Sequence, residues 1–388
     1  MSEFDLVVVG GGIQGVGVAQ AAAADGYRVA LLEAGEIGGA TSSKSSKLIH
    51  GGLRYLESAQ FSLVRQSLKE RQQLLQLAPA LVQLRSFYIP VYKSTGRRPW
   101  QIRLGLLLYS FLDGFSKETR FNKLHRRDWG RLDGMDKNDL QCVYRYYDAQ
   151  TDDQKLTRAV MESAQSLGVE LLCPARFLKA QEHDGILRIR YEQATQLHTI
   201  TASVLVNAAG PWVNEILQSI IPRPEPLAVD LVQGSHIVID HPAPEGMFYV
   251  EAQKDRRAVF IMPWYGLTLI GTTETLYSGN PANVEPLPEE IAYLREVYES
   301  YFPNNEFNLV SSFAGIRVLP VSESSLFNRA RDVVIYSDQS VPGVVTLYGG
   351  KLTSFRATAE KVMRLIRPHM TAPDKKRADV NKLMLGQD

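Results

Sequence analysis

Gly10-Gly11-Gly12-Ile13-Gln14-Gly15 has the spacing GxGxxG. At that spacing Gly10 makes a tight turn, Gly12 lets the backbone approach a pyrophosphate, and Gly15 lets a helix pack closely on a strand. The string follows the apolar run Asp5-Leu6-Val7-Val8-Val9. Glu33 stands 18 residues after Gly15, at the end of a second apolar run, where a carboxylate can accept hydrogen bonds from a ribose diol. A helix opening at Ile13 would turn its unpaired N–H groups and positive dipole end on the phosphates. This fingerprint excludes NADP more firmly than it separates NAD from FAD.

A second group of reactive residues lies just downstream. Glu36 to Tyr55 reads EIGGATSSKSSKLIHGGLRY, dense in Gly, Ser and Thr and ending in His50, Arg54 and Tyr55. Small hydroxyl residues can hydrogen-bond phosphates and a flavin, and Gly51-Gly52 permits a flat ring to come close to the main chain. By composition alone the same segment could equally be a solvated turn.

These residues need elements to hold them. Asp5–Val9 reads as a buried parallel strand, Ile13–Asp25 as an alanine-rich helix closed by Gly26, and Arg28–Leu32 as the next strand, together one βαβ unit. A helix is expected over Gln154–Leu167, with strands near Val169–Leu172, Ser203–Val206 and Val344–Tyr348 and a helix over about Thr353–Ile366. Strand-like pieces at Ser235–Ile239, Ala258–Met262 and Leu267–Ile270, with a helix over Glu289–Tyr301, suit a mixed sheet with helices on it. The expected fold class is α/β: a Rossmann-type dinucleotide-binding domain with a second domain on a mixed, largely antiparallel sheet. The expected division places 1–86, 145–223 and 330–388 in the first domain and 87–144 and 224–329 in the second. The polar residues from Pro373 to Asp388 are expected to fray.

Composition narrows the partners. The 388 residues carry 43 Lys plus Arg against 42 Asp plus Glu, a net charge of +1, which excludes bulk attraction to nucleic acid. Cys142 and Cys173 lack metal-ligand spacing, so no metal and a reducing cytoplasm are expected. The N-terminus lacks the pattern of a signal peptide, and the longest apolar stretch, Leu104 to Leu112, is too short to span a bilayer. The segment Trp100–Phe115, flanked by Arg97, Arg98, Arg103 and Lys117, reads as a buried helix in preference to an interfacial amphipathic one.

Ala40-Thr41-Ser42-Ser43 and Ser45-Ser46-Lys47-Leu48-Ile49-His50-Gly51-Gly52-Leu53-Arg54-Tyr55-Leu56 resemble the signature of the FAD-dependent glycerol-3-phosphate dehydrogenases, within the D-amino-acid-oxidase-like superfamily. The resemblance continues in Tyr147-Asp148 with Asp152-Asp153, in Asn207 to Trp212, in Gly234 to Val238, in Pro263-Trp264, in Gly271-Thr272-Thr273, in Gly315-Ile316-Arg317 and in Gly349 to Thr353. It implies FAD as cofactor and an envelope for it made by Gly10, Gly12, Ile13, Gln14, Gly15 and Glu33, then by Thr41, Ser42, Ser43, Ser45, Ser46, Lys47, Leu48, His50, Gly51 and Gly52. Ala208, Gly210, Trp212, Gly315, Gly350, Lys351, Leu352 and Thr353 complete that envelope.

The same resemblance implies oxidation of sn-glycerol 3-phosphate to dihydroxyacetone phosphate by hydride transfer from carbon 2 to flavin N5, with a quinone or another acceptor taking the electrons. Arg54 and Arg317 would bind the phosphate with Tyr55 in support, since arginine presents donors matched to phosphate oxygens. Lys351 would lower the pKa of the reacting hydroxyl, and Thr272 and His236 would complete the pocket. His50 and His236 both remain candidates for the base, with His50 preferred. Family members carry a further helical C-terminal domain, and this chain is expected to be a form lacking it, with its flavin chemistry intact. Peripheral contact with the cytoplasmic face of the inner membrane and a homo-oligomer are compatible with the resemblance. An enzyme of the same fold acting on an amino or hydroxy acid, and an FAD-binding subunit inactive without a partner chain, are the competing readings.

Overall fold

The computed structural model describes residues 3–132, 134–241, 246–321 and 332–386. Two sheets carry the fold, of nine and ten strands among the described residues. The first is parallel at its centre, where Glu170–Leu172, Val29–Leu32, Phe4–Val9, Gln196–Asn207 and Val344–Tyr348 lie side by side. Leu6, Val7, Val8, Leu31 and Leu32 are buried on both faces of this sheet, so their runs are continuously apolar instead of alternating. The helices Ile13–Asp25, Asp153–Ser166 and Phe355–Ile366 share one of its cores.

On the other side of this centre the chain makes an antiparallel meander, Arg176–His183, Ile186–Gln193 and the first half of Gln196–Asn207. The expected strand at Ser203–Val206 is only the parallel end of that long strand. Helix boundaries follow the caps: Ile13–Asp25 stops at Gly26, whose φ is +107°.

The second sheet runs Thr275–Tyr277, Val229–Ile239, Leu267–Gly271, Ala258–Trp264, Met247–Glu251, Val82–Tyr92, Leu140–Thr151 and Leu48–Ile49, with Leu309–Pro320 also on Val229–Ile239. Its pairs are antiparallel except Met247–Glu251 with Val82–Tyr92. The helix Pro288–Tyr301 covers one face through Leu294, Val297 and Tyr298. Ile102 and Leu106 of the helix Pro99–Leu112 pack on the other. Val82–Tyr92 and Leu140–Thr151 pair along their lengths and carry residues on both sides of the expected boundaries at 86/87 and 144/145. The expected boundary at 329/330 lies outside the described residues.

Two expectations are corrected. Arg377 and Ala378 donate their N–H groups to Ala24 O, and Leu385, buried, donates to Leu77 O, so the segment from Pro373 is anchored as far as it is described. Its polar composition hid this because the anchors are backbone groups. The helix Pro99–Leu112 is not buried all round. Ile102, Leu106 and Tyr109 face inward, while Trp100, Leu104, Leu107 and Phe111 form an exposed apolar stripe at the spacing of one helical face.

Candidate active site

At the end of Phe4–Val9 the chain turns at Gly10 with φ +110°, and a Cβ there would stand 2.5 Å from the Ala208 carbonyl oxygen. A side chain at Gly15 would run into the Gly10 carbonyl oxygen, so helix and strand approach as closely as backbones allow. No side chain caps the helix at Gly12. The Ile13 N–H donates to Ser42 Oγ (2.9 Å). Glu33 accepts from Gly11 N–H (2.6 Å) and Gly35 N–H (2.7 Å), which fixes its carboxylate at the strand end. Gln14 Nε2 donates to Lys351 O (3.0 Å), while its buried Oε1 finds no partner among the described residues. Gly350, at φ +109°, leaves room for the Gln14 side chain, which a Cβ would meet at 2.9 Å.

The serine-rich segment is clamped between the two sheets. Thr41 Oγ1 donates to Ile316 O (2.8 Å), Lys44 lies against Gly315, and Ser46 Oγ meets His236 Nε2 at 2.9 Å. Ser43 Oγ donates to the carbonyls of Gly39 and Ala40. Ser45 Oγ and Lys47 Nζ both donate to the buried Asp153 (2.7 Å each). The side chains of Ser43, Ser45 and Lys47 are therefore directed to protein groups, and Leu48 is a buried strand residue.

Cross-strand register builds the opposite wall. Phe313, His236, Gly271, Phe260 and Tyr249 stand opposite one another on five neighbouring strands and so share one face. The His236 ring stacks on Phe313 at 5.0 Å and lies over Gly271, where any Cβ would strike it. Arg317 lies four residues along its strand from Phe313, on the same face, with Gly315 and Gly234 paired between. Arg317 Nη2 reaches Thr272 Oγ1 at 3.5 Å, and its Nη1 is 3.7 Å from Glu274. Burial, then the charges of Arg317 and Lys47, hold the His236 imidazole well below its ordinary pKa, so it is neutral.

At the other end, Lys351 Nζ stands 3.8 Å from the centre of the Tyr55 ring, and the Arg54 guanidinium 5.8 Å from the same centre. The half-buried His50 has its ring 6.3 Å from Phe260, and its main-chain N–H donates to Thr353 Oγ1 (3.2 Å). Ala208 donates its N–H to Val9 O beside the glycine turn, and Gly210 and Trp212 open the next helical turn. Leu352 packs against the first core.

The sequence matches the FAD dependent oxidoreductase family over residues 5–356. The chain belongs to that family. Within it, a glycerol-3-phosphate dehydrogenase of Pseudomonas aeruginosa is 37% identical over 372 residues, covering 94% of this chain and 72% of the relative. A D-erythritol 1-phosphate dehydrogenase of Brucella abortus is 35% identical over 376 residues, covering 94% and 73%. The solved glycerol-3-phosphate dehydrogenase of Bacillus halodurans, complexed with FAD, superposes with a TM-score of 0.78 at 25% identity, covering 99% of this chain and 68% of that one.

FAD is the cofactor of this flavoprotein, and the chain fits it. The helix start, whose N-cap Gly12 supplies no side chain and where Ser42 takes only the Ile13 N–H, the glycine turn closed against Ala208 and the unsatisfied Gln14 Oε1 could together cradle the pyrophosphate.

Sequence reasoning missed the groups that hold the flavoprotein's side chains in place. Glu290 was read only as part of a helix start. It accepts hydrogen bonds from Gln233 (2.5 Å), Ser235 (2.6 Å), Thr273 (2.6 Å) and Thr275 (2.9 Å) side chains and from Leu287 N–H (3.1 Å). Burial raises its pKa, but these donors more than offset that and leave it below the ordinary value. Glu290 thereby ties Val229–Ile239 to the Thr272–Thr275 loop. A carboxylate just inside a helix usually faces solvent, so nothing in its local sequence marks it. Asp148 and Asp153 stood inside the resembling stretches without a role.

Proposed function

We propose that this chain oxidises sn-glycerol 3-phosphate at carbon 2 to dihydroxyacetone phosphate and passes the electrons on to a quinone. The observation that carries this reading is the gathering of Arg54 and Lys351, nearly three hundred positions apart, around the one Tyr55 ring. The neighbouring Arg317 wall and the names of the relatives support it. In this reading Arg54 and Arg317 hold the phosphate, whose charge needs more than one cationic fork. Tyr55 and Thr272 border the glycerol backbone. Lys351 favours the alkoxide form of the 2-hydroxyl, and His50 takes its proton. His50 is preferred over His236 because the latter is buried, its Nε2 is engaged by Ser46, and its basicity is depressed. Bound FAD supplies the two-electron acceptor. The division into an FAD domain and a substrate domain follows the two sheets in this reading.

The test is anaerobic mixing of the purified yellow protein with glycerol 3-phosphate, D-erythritol 1-phosphate or glycerol. Rapid loss of the visible flavin absorption with glycerol 3-phosphate, and little with glycerol, is expected. Failure of glycerol 3-phosphate to bleach the flavin would overturn the proposal.

The helix Pro99–Leu112 supports peripheral docking on an anionic bilayer, where a quinone acceptor resides. Trp100, Leu104 and Phe111 are each more than half exposed, at 65%, 58% and 63%, beside Arg97, Arg98, Arg103 and Lys117. No described helix is long and apolar enough to cross a membrane. Flotation with anionic liposomes at low salt should carry the protein upward, and recovery wholly in the lower fraction would contradict docking.

A further inference from the structure

The two peptide units that flank His50 are both pinned. His50 N–H donates to Thr353 Oγ1, and Gly51 N–H donates to the Tyr109 hydroxyl at 2.8 Å. Tyr109 in turn donates to Asp148 Oδ2 at 2.7 Å, and Asp148 Oδ1 accepts from Arg71 Nη1 at 2.6 Å. Arg71 also bonds Tyr147 O (3.2 Å) and stands 3.4 Å from Asp113. The side chains of Arg71, Asp148 and Asp113 are 0%, 2% and 3% exposed.

The hydroxyl in this chain has a fixed sense. Burial, then the Asp148 charge, holds the Tyr109 pKa well above its ordinary value, so the phenol keeps its proton. That proton points to Asp148, which leaves an oxygen lone pair for Gly51 N–H. Burial raises the Asp148 pKa while Arg71 opposes the rise. Gly51 has no space for a side chain: a Cβ would stand 2.5 Å from the Tyr109 oxygen and 2.7 Å from Leu68.

Buried ion pairs are often no more stabilising than apolar residues of the same shape, and they are best attested as devices that specify one arrangement. Here the specified point is where the chain turns through Gly52, at φ +81°, into the short helical turn Leu53–Leu56. A shift at Gly51 would move His50, Arg54 and Tyr55 together. We propose that Tyr109, oriented by Asp148 and Arg71, is a positioning residue for the His50–Gly51 peptide, and through it for the His50 imidazole and the flavin-side backbone. The inference rests on the site reading given above.

Tyr109→Phe removes only the hydroxyl. Two readouts that general destabilisation would not move decide the question: the visible absorption band of the bound flavin, and the limiting rate of its anaerobic reduction at saturating glycerol 3-phosphate. A shifted band, weaker FAD binding by the apoprotein and a rate lowered about ten- to a hundred-fold are expected, with the KM nearly unchanged. Asp148→Asn, which keeps the shape and loses the charge, should move the same readouts less. Ile189→Val, buried in the core under the antiparallel meander, a cluster that contains none of these residues, should lower Tm and leave both readouts alone. A Tyr109→Phe protein with lowered Tm but a wild-type flavin band and rate would overturn the proposal. If wild-type flavin is not bleached by glycerol 3-phosphate, the substrate reading fails, and the flavin band and FAD affinity of Tyr109→Phe still decide the positioning role.

Discussion

A single βαβ unit, from Phe4 to Leu32, holds the whole GxGxxG fingerprint, whereas the substrate wall proposed above would draw Arg54, Thr272, Arg317 and Lys351 from four separated stretches. The cradle works through backbone: Gly10 and Gly15 matter because nothing is there. The proposed wall would work through side chains, and the segment beside Thr272 is fixed by the buried Glu290, which accepts from Thr273 and Thr275. Backbone recognition needs local geometry that one short motif can specify. Side-chain recognition needs long-range register and buried charges to orient it.

The largest expected effect falls on the cradle. Gly15→Ala drives a methyl group into the Gly10 carbonyl, with no flexible side chain to yield. The variant should retain less than about a tenth of the wild-type FAD, measured as flavin absorbance per protein. Near-full occupancy would show that the cradle does not depend on that close approach.

Glu290→Gln comes next. It removes the charge that four side-chain donors share, and hydrogen bonds to charged groups contribute about 1.5–3 kcal/mol. Tm should fall, and the KM for glycerol 3-phosphate should rise about ten-fold while FAD content stays at the wild-type level. Loss of FAD instead would mean that cradle and wall are not separable.

The smallest effect is a pH slope. The His236 pKa is lowered in the folded state from its ordinary 6.5, so folding favours the neutral ring. The stability this gives is present above pH 6.5 and is lost as pH falls toward the folded-state value. Tm measured across that range should decline with falling pH less steeply in His236→Asn than in the wild type. Equal slopes would place the acid sensitivity elsewhere.

The same contrast explains what was legible in the sequence. GxGxxG, Glu33 and the Gly26 stop were readable because turn, helix and strand lie within one short stretch, and the helix Ile13–Asp25 appears as expected. The meander from Arg176 to Gln193 was missed although Leu187-Arg188-Ile189-Arg190-Tyr191 alternates apolar and charged residues at the period of a half-buried strand. The exposed stripe of Pro99–Leu112 was not readable, since an apolar helix looks alike whether neighbours cover one side or both. On the wall, His236, Thr272 and Arg317 were found only by resemblance. The register that puts His236 and Arg317 on one face depends on pairing across Val229–Ile239 and Leu309–Pro320, separated by about seventy residues. Glu290 and Arg71 carry no local signal, and Asp148 was marked only by resemblance, since buried carboxylates and guanidinium groups have the same letters as exposed ones.

The most direct measurement compares wild type with Arg317→Ala by anaerobic flavin reduction, with glycerol 3-phosphate and glycerol titrated side by side. Loss of a charge-assisted phosphate contact should raise the half-saturating glycerol 3-phosphate concentration about 10- to 100-fold and leave the slow reaction with glycerol unchanged. Equal losses with both compounds would contradict the claim that this wall recognises a phosphate.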